Sequence, residues 1–244
     1  AGMGEACIAL GTPVTGGNVS LYNESPGGAV YPTPTIGMVG LLQDVSKATQ
    51  MEFRETDDEI VLLGEPTDEL GASEYLAWIH GVVAGAPPAC DLKKERALIE
   101  TLHDSINAGL LHSAHDCSEG GFAVAIAECC VANPLNLRGA MVDLTAWKAI
   151  PSRALLFGEA QGRAIVSTSD SAAVLAIAKK HGVPARMIGT VKPAGEGLVI
   201  GVAGHSMRSP LLDLSAAYHD AIPKAMQRAP AEEVSAELAT GAKA

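Results

Sequence analysis

The chain has 244 residues, of which 48% are hydrophobic, 18% charged and 4% aromatic, and its formal net charge is −11. The apolar share is that of a globular protein and excludes a wholly disordered chain, and five cysteines are too few, and odd in number, for a disulfide scaffold. The net negative charge predicts that neither nucleic acid nor an anionic membrane is a partner. The sequence shows no secretory leader and no run of ~18 apolar residues, which together with free thiols predicts a cytoplasmic protein.

Residues 1–64 show one helical pattern followed by strands and loops. The apolar residues Met3, Cys7, Ile8 and Leu10 recur on a helical period that ends at Gly11. Because the sequence opens at Ala1 within this pattern, we expect it to begin inside a domain of a longer protein. Short extended segments are predicted at residues 13–15, a well-buried strand at residues 35–42 and a second strand at residues 59–63.

Residues 65–204 alternate between helical and strand patterns, which predicts a second, α+β or α/β sandwich domain with helices packed on one sheet. The predicted helices span residues 73–83, 93–108, 119–131 and 171–181, the third with Ser118 as its N-cap. The predicted strands span residues 112–116, 140–144, 164–168, 186–191 and 198–202. Residues 205–228 are predicted to be a helical extension with Leu211, Leu214, Ile222 and Met226 facing inward, and residues 229–244 to be disordered.

The stretch from Thr15 to Glu24, TGGNVSLYNE, has the composition of a ligand-binding loop. Two glycines allow the backbone N–H groups to approach a ligand closely. Asn18 offers a neutral oxygen of the kind Mg²⁺ prefers, and Ser20 a hydroxyl for a phosphate or a sugar. The alternative is a Gly-Gly-Asn turn held by local hydrogen bonds.

Two further motifs carry polar groups beside glycines. In HDCSEGG, residues 115–121, a helix N-terminus could bind an anion and the His115–Asp116 pair could exchange protons, or the motif could be a capped helix with a structural histidine. In FGEAQGR, residues 157–163, Glu159 and Gln161 could hold a ligand amide, or the segment could be a solvated loop with an Arg163 ion pair. The adjacent Cys129 and Cys130 are predicted to be core residues.

Four motifs in order resemble one family, the phosphoribosylformylglycinamidine synthases. They are GNVSLYNE at residues 17–24, YPTPTIGMVG at 31–40, ELGASEYL at 69–76 and SAHDCSEGG at 113–121. The resemblance is to the C-terminal part of the large synthetase subunit and covers residues 1–227. It implies an aminoimidazole-ribonucleotide synthetase-like (PurM-like) α+β fold, with a partial A-type domain at residues 1–64 and a B-type domain at residues 65–204.

The resemblance also implies a reaction, cofactors and partners. The family converts formylglycinamide ribonucleotide, ATP and ammonia to formylglycinamidine ribonucleotide, ADP and phosphate, with Mg²⁺ on the phosphates. ATP activates the amide oxygen as an iminophosphate, and ammonia from a glutaminase subunit displaces the phosphate. A small bridging subunit completes the complex in the small-type enzymes, which the short polar tail favours here. The upstream half of the same subunit would be a further partner.

Few site residues carry over from the family. The resemblance implies an ATP contact at Gly17, a Mg²⁺ ligand at Asn18 and a substrate contact at Ser20. Glu159 and Gln161 correspond to the second copy of a substrate motif whose working copy lies upstream, so no role follows for them. The catalytic histidine and the other metal ligands also belong upstream, so we expect no catalytic residue here and an inactive, poorly folded or adhesive chain in isolation.

Two alternatives remain open at this point. Another ATP-dependent enzyme of the same superfamily, of the selenophosphate synthetase or thiamine-monophosphate kinase type, would carry a Gly- and Asp-rich nucleotide motif near its N-terminus. A non-catalytic regulatory domain would keep the scaffold and would bind no nucleotide even with the upstream half present. The Gly-Asn-Val-Ser stretch favours the ligase.

Overall fold

The computed structural model describes residues 1–20, 22–31 and 33–227. Helix α1 (Gly2–Leu10) ends where Gly11 adopts a left-handed conformation with φ 70°, so the predicted first helix and its stop are confirmed. Within residues 12–50, the described part contains only the antiparallel pair β1 (Glu24–Ser25) and β2 (Gly28–Ala29) and a 3-10 turn at Val45–Lys47.

A seven-stranded sheet forms the body of the molecule. Its strands are β3 (Glu59–Leu63), β4 (Ser113–Asp116), β5 (Arg138–Asp143), β6 (Ala164–Thr168), β7 (Ala185–Pro193), β8 (Leu198–Val202) and β9 (His205–Ser209). Their order is β4-β6-β3-β7-β5-β8-β9, and every pair is antiparallel except β5 with β8. The strands predicted at residues 59–63, 164–168 and 198–202 are confirmed with those bounds.

In the described residues, six helices follow the first, and several of them begin with a side-chain cap. They are α2 (Glu74–His80), α3 (Leu92–Asn107), α4 (Gly121–Val131), α5 (Ser152–Phe157), α6 (Ser171–His181) and α7 (Leu211–Gln227). The side chains of Ser73, Asp91 and Asp170 accept hydrogen bonds from backbone N–H groups in the first turns of α2, α3 and α6, which would otherwise lack partners.

The interior strand β3 packs against helices on both faces of the sheet. Ile60 and Leu62 belong to a core with residues of α4 and α5, among them Phe122, Ile126 and Leu155. The intervening residues Val61 and Leu63 face a second core with Leu98 of α3 and Val174 of α6. Alternate residues of a strand point to opposite faces, so a strand buried on both sides reads as a continuous apolar run. The α+β fold is therefore confirmed, with helices on both faces.

Two predictions about exposed apolar segments are wrong. Residues 35–42 form no strand and lie exposed, with Val39 97% accessible, because no neighbouring strand in the described chain pairs with them. In α7, Leu211 is buried and Leu214 packs on the core, but Ile222 and Met226 are exposed. The elements β9 and α5 were not predicted.

Several predictions about the chain's organisation stay predictions. The domain division at residue 64 is one of them; β3, just before it, pairs with strands that follow it. Residues 229–244 lie outside the described residues. No helix in the described chain combines the length and apolarity needed to span a membrane.

Candidate functional site

A cleft of about 560 Å³ lies where β4 ends and β6 begins. Asp116 pairs with Ala164 in the antiparallel register of these two strands. The chain that leaves β4, residues 115–121, therefore lies beside the chain that enters β6, residues 157–163. The two motifs singled out from the sequence form most of the lining, and α3 closes one side through Glu95 and Leu98.

Helix α4 begins later in the HDCSEGG motif than predicted. Gly120 is its N-cap, with φ 77°, and Gly121 is its first residue. Ser118 is not a side-chain cap, which corrects that prediction, because its hydroxyl donates to Asp116 instead. This hydrogen bond is the main reason that the pKa of Asp116 lies below its usual value.

The carboxylate of Glu159 occupies the N-terminal end of α4. Its Oε1 accepts a hydrogen bond from the backbone N–H of Gly120 at 2.9 Å and another from the backbone N–H of Glu74, the first residue of α2, also at 2.9 Å. Gln161 donates to the backbone oxygen of Glu159 at 3.5 Å. One carboxylate oxygen thus joins the beginnings of two helices.

Arg163 holds the loop that carries Glu159. Its side chain is 3% exposed and donates to the backbone oxygens of Gly158, at 2.6 Å, and Ala160, at 3.1 Å. Burial lowers the pKa of the Arg163 guanidinium. The alternative of a solvated loop with an Arg163 ion pair is therefore wrong, because buried hydrogen bonds from the Arg163 side chain hold the loop.

Glycines let the surrounding backbone approach this loop closely. A Cβ at Gly121 would lie 2.6 Å from the oxygen of Gly158, and one at Gly64 would lie 2.0 Å from the oxygen of Gly162. Both glycines have positive φ, 67° and 86°, which larger residues rarely adopt. The loop is therefore confined between the end of β3 and the beginning of α4.

His115 is held by carboxylates at both ring nitrogens. Nε2 lies 2.7 Å from Glu128 Oε2 on α4, and Nδ1 lies 3.4 Å from Asp116 Oδ1. The hydrogen bond with Glu128 is the main cause that raises the pKa of His115 above 6.5. This geometry is that of a histidine fixing α4 to β4, and it favours the structural interpretation over proton exchange with a ligand.

The thiols near the cleft lie in the core. Cys129 and Cys130 are buried, as predicted, and burial raises the pKa of Cys130 to about 12. Burial also raises the pKa of Cys117, which lines the cleft, to about 11. Thiols in this state are poor nucleophiles at neutral pH.

Gly17, Asn18 and Ser20 lie in the exposed segment before β1. The Asn18 amide nitrogen donates to the Ser20 hydroxyl at 3.3 Å, and the Asn23 amide nitrogen to the Ser20 backbone oxygen at 2.9 Å. A Cβ at Gly17 would meet no atom within 4 Å, so the backbone there is open. These three residues do not line the cleft, and their roles stay predictions.

A complete magnesium site does not arise from the described residues. Asn18 offers one neutral oxygen, and within residues 1–20, 22–31 and 33–227 no group of three or more His, Cys, Asp or Glu gathers to hold a metal. Mg²⁺ requires near-octahedral oxygen coordination, usually with carboxylates or substrate phosphates. Asn18 alone therefore does not fit a self-contained site.

One hydrogen-bonded histidine–carboxylate pair near the sheet was not found from the sequence. Asp58 is 4% exposed, and both of its oxygens lie within 2.9 Å of Nδ1 of His112. The two residues are 54 positions apart, so no local pattern indicates the pair. It joins the turn before β3 to the start of β4.

Comparison with known proteins identifies the family. The family model described as AIR synthase related protein, C-terminal domain, matches residues 55–201. The chain belongs to this family. The match includes strands β3 to β7 and all of β8 except Val202, leaves out β9, and contains the cleft motifs.

The relatives carry one name. The phosphoribosylformylglycinamidine synthase subunit PurL of Moorella thermoacetica is 44% identical over 230 residues, and that of Caldanaerobacter subterraneus 45% over 205 residues. These alignments cover 93% and 83% of this chain but 30% and 27% of the relatives. The chain thus spans less than a third of the length of these curated relatives, and its resemblance to them is confirmed.

Solved structures of the same kind share the fold. Thermotoga maritima PurL complexed with ATP matches with a TM-score of 0.56 at 22% identity, covering 70% of this chain and 28% of that one. The structure of PurLQS from Thermotoga maritima matches with a TM-score of 0.54 at 22% identity and the same coverage. At this identity the likeness shows the fold alone.

Proposed function

We propose that this member of the AIR synthase related family is the C-terminal part of an ATP-dependent ligase subunit of purine biosynthesis. The subunit would convert formylglycinamide ribonucleotide, ATP and ammonia to formylglycinamidine ribonucleotide, ADP and phosphate, with glutamine as the ammonia source. The observation that carries this proposal is the 41–45% identity to PurL subunits across most of the chain. The five free cysteines of the chain favour a cytoplasmic location.

The proposed chemistry is phosphoryl transfer followed by amine addition. The amide oxygen of the substrate attacks the γ-phosphorus of ATP and ADP leaves; ammonia then attacks the activated carbon, and phosphate leaves with the former amide oxygen. Catalysis of this kind is mostly positioning and charge stabilisation. We assign Gly17 to the ATP contact and Ser20 to the substrate, because an open glycine backbone and a hydroxyl suit phosphate and sugar oxygens.

Asn18 would contribute one oxygen to a magnesium ion that also needs ligands from outside this chain. Its amide nitrogen is directed at Ser20, which leaves the oxygen for another contact. Bound magnesium would offset charge on the ATP phosphates. Because the chain supplies no complete site, we derive no step through the metal.

The partners follow from the same relatives. We propose the upstream part of the same subunit, a glutaminase subunit and a small bridging subunit, consistent with the PurLQS structure among the neighbours. The exposed apolar residues Ile36, Val39 and Leu41 support a partner that covers residues 33–42.

Substrate dependence tests the proposed reaction. The chain is combined with the upstream part of its subunit, and ADP release is measured with formylglycinamide ribonucleotide and ammonium, with thiamine monophosphate, and with selenide. Release only with the first mixture supports the ligase. Release with either of the other substrates would assign the chain to a sister enzyme of the superfamily, and a folded pair that binds no ATP would indicate a regulatory domain.

A further inference from the structure

The N-terminal end of α4 would ordinarily attract an anion from solution. Exposed backbone N–H groups and the helix dipole favour negative charge at such an end. In this chain the position is taken by a side chain of the protein, since Oε1 of Glu159 accepts the N–H of Gly120 at 2.9 Å. The same oxygen accepts the N–H of Glu74 at 2.9 Å, so two backbone donors converge on one atom.

The loop that presents Glu159 is rigidly held. Arg163, 3% exposed, donates to the oxygens of Gly158 and Ala160 on either side of Glu159. Gly121 packs directly on the chain at residues 157–158, where a Cβ would lie 2.6 Å from the Gly158 oxygen. The loop therefore holds the carboxylate in place, so forming its hydrogen bonds costs little conformational entropy.

The first residue of helix α2 donates a hydrogen bond to this carboxylate. It is a seven-residue helix that exposes Trp78 and Ile79, 82% and 64% accessible. Two contacts fasten its first turn to the loop: the hydrogen bond from Glu74 to Glu159, and the stacking of Tyr75 on Phe157 with ring centroids 5.2 Å apart. Loss of the carboxylate would free one of these two contacts.

We propose that Glu159 is an internal anion that closes the N-terminal end of α4 and joins it to α2. The cleft then accepts no phosphate or carboxylate from solution at this place while Glu159 remains there. This inference is independent of the proposed ligase activity, because it concerns the chain without ATP or the upstream part. It also directs any phosphate-bearing ligand of the assembled protein to a place other than this helix end.

Replacing the carboxylate from solution tests the proposal. In the whole chain, Glu159→Ala is expected to lower the Tm by roughly 4–8 °C, the effect of losing a charged acceptor of two hydrogen bonds. About 100 mM sodium formate is expected to restore roughly 3 °C relative to equal sodium chloride, because a small carboxylate binds the vacated donors in the folded state only. Glu119→Ala is the matched control, since Glu119 is exposed and lines the same cleft.

The same experiment has two outcomes that would overturn the proposal. One is an equal effect of formate on Glu159→Ala, Glu119→Ala and the unchanged chain; the other is an unchanged Tm in Glu159→Ala. Amide hydrogen exchange adds a local measurement: formate should restore protection at Gly120 and Glu74 in the variant. If Glu159→Ala does not fold, Glu159→Gln keeps an acceptor oxygen and should show a smaller loss of Tm with no recovery in formate. An unchanged Tm in Glu159→Gln would contradict the inference.

Discussion

At the scale of single residues, the chain separates polar groups that hold the fold from polar groups available to a ligand. Glu159, Arg163 and His115 all line or border the cleft, yet each is engaged by other groups of the chain. Asn18 and Ser20 lie in an exposed segment and contact mainly each other. The second group is therefore where we expect substitutions to change activity more than stability.

Asn18→Ala tests the assignment of a ligand role to that segment. In the assay of the chain combined with its upstream part, we expect kcat/KM for ADP release to fall roughly 100-fold or more, the upper range for loss of a group that supports a metal. The unfolding midpoint of the isolated chain should change little, because Asn18 is exposed. Asn136→Ala, at another exposed asparagine, is the control; equal losses in the two variants would remove the role from Asn18.

Arg163→Met tests the opposite kind of residue. Methionine retains most of the volume but leaves the oxygens of Gly158 and Ala160 without their buried donor. We expect the free energy of unfolding to fall by about 2–4 kcal/mol, as for buried groups that lose charged partners. Denaturant titration measures it, with Arg153→Met at an exposed site as the control. A loss below about 1 kcal/mol, the size of a neutral hydrogen bond, would show that the loop is held by other contacts.

At the scale of elements, helix α4 is held by polar contacts near both of its ends. Glu159 accepts from its N-cap, and Glu128 near its C-terminal end bonds His115 of β4. Between these ends Phe122 and Ile126 enter the core against β3. The position of the cleft relative to the sheet thus depends on polar contacts outside the apolar packing.

The contact between α4 and β4 should respond to pH. Because the pKa of His115 is raised in the folded chain, its contribution to stability is fully present below its unfolded value of 6.5 and is lost as pH rises through the folded value. The difference in unfolding free energy between the unchanged chain and His115→Gln should therefore shrink from about pH 5.5 to about pH 8.5. His205→Gln, exposed on β9, should show no such trend; a difference that grows with pH would contradict the assignment.

The exposed segment at residues 33–42 should become protected on assembly. Ile36, Val39 and Leu41 are 67%, 97% and 84% accessible, an arrangement that favours a covering partner. We expect amide exchange in residues 33–42 to slow by at least about tenfold when the upstream part is added, as open backbone groups become hydrogen-bonded. Residues 205–209, the edge strand β9, serve as the internal reference. Unchanged exchange in residues 33–42 would show that the partner binds elsewhere.

At the scale of the whole molecule, the sequence predicts those elements whose signals are local. The apolar run at residues 59–63 and the capped helices α3 and α6 were predicted to within two residues, because caps and periodicity lie within each segment. The strand prediction for residues 35–42 is wrong because strand formation needs a partner, and no strand among the described residues pairs with this segment. The polar strand β9, HSMRS, carries no apolar alternation and was missed for that reason.

In the candidate site, too, the sequence predicts local features but not contacts between distant residues. The sequence singled out residues 115–121 and 157–163 separately, but their meeting depends on the pairing of β4 with β6, which no local pattern encodes. The hydrogen bonds from Gly120 and Glu74 to Glu159 join residues 39 and 85 positions apart, so they also could not be predicted. The family resemblance, by contrast, rests on motifs within the chain and is confirmed by the relatives.

We propose that this chain is one necessary part of a ligase that is completed by the rest of its subunit. The most direct measurement is ADP release with formylglycinamide ribonucleotide, Mg²⁺ and ammonium from three samples: the chain alone, the upstream part alone, and the two together. We expect turnover only in the combined sample, with formylglycinamidine ribonucleotide formed in equal amount to ADP. Turnover by the chain alone, or turnover by the upstream part alone at the rate of the combined sample, would show that this chain is not a necessary part of the ligase.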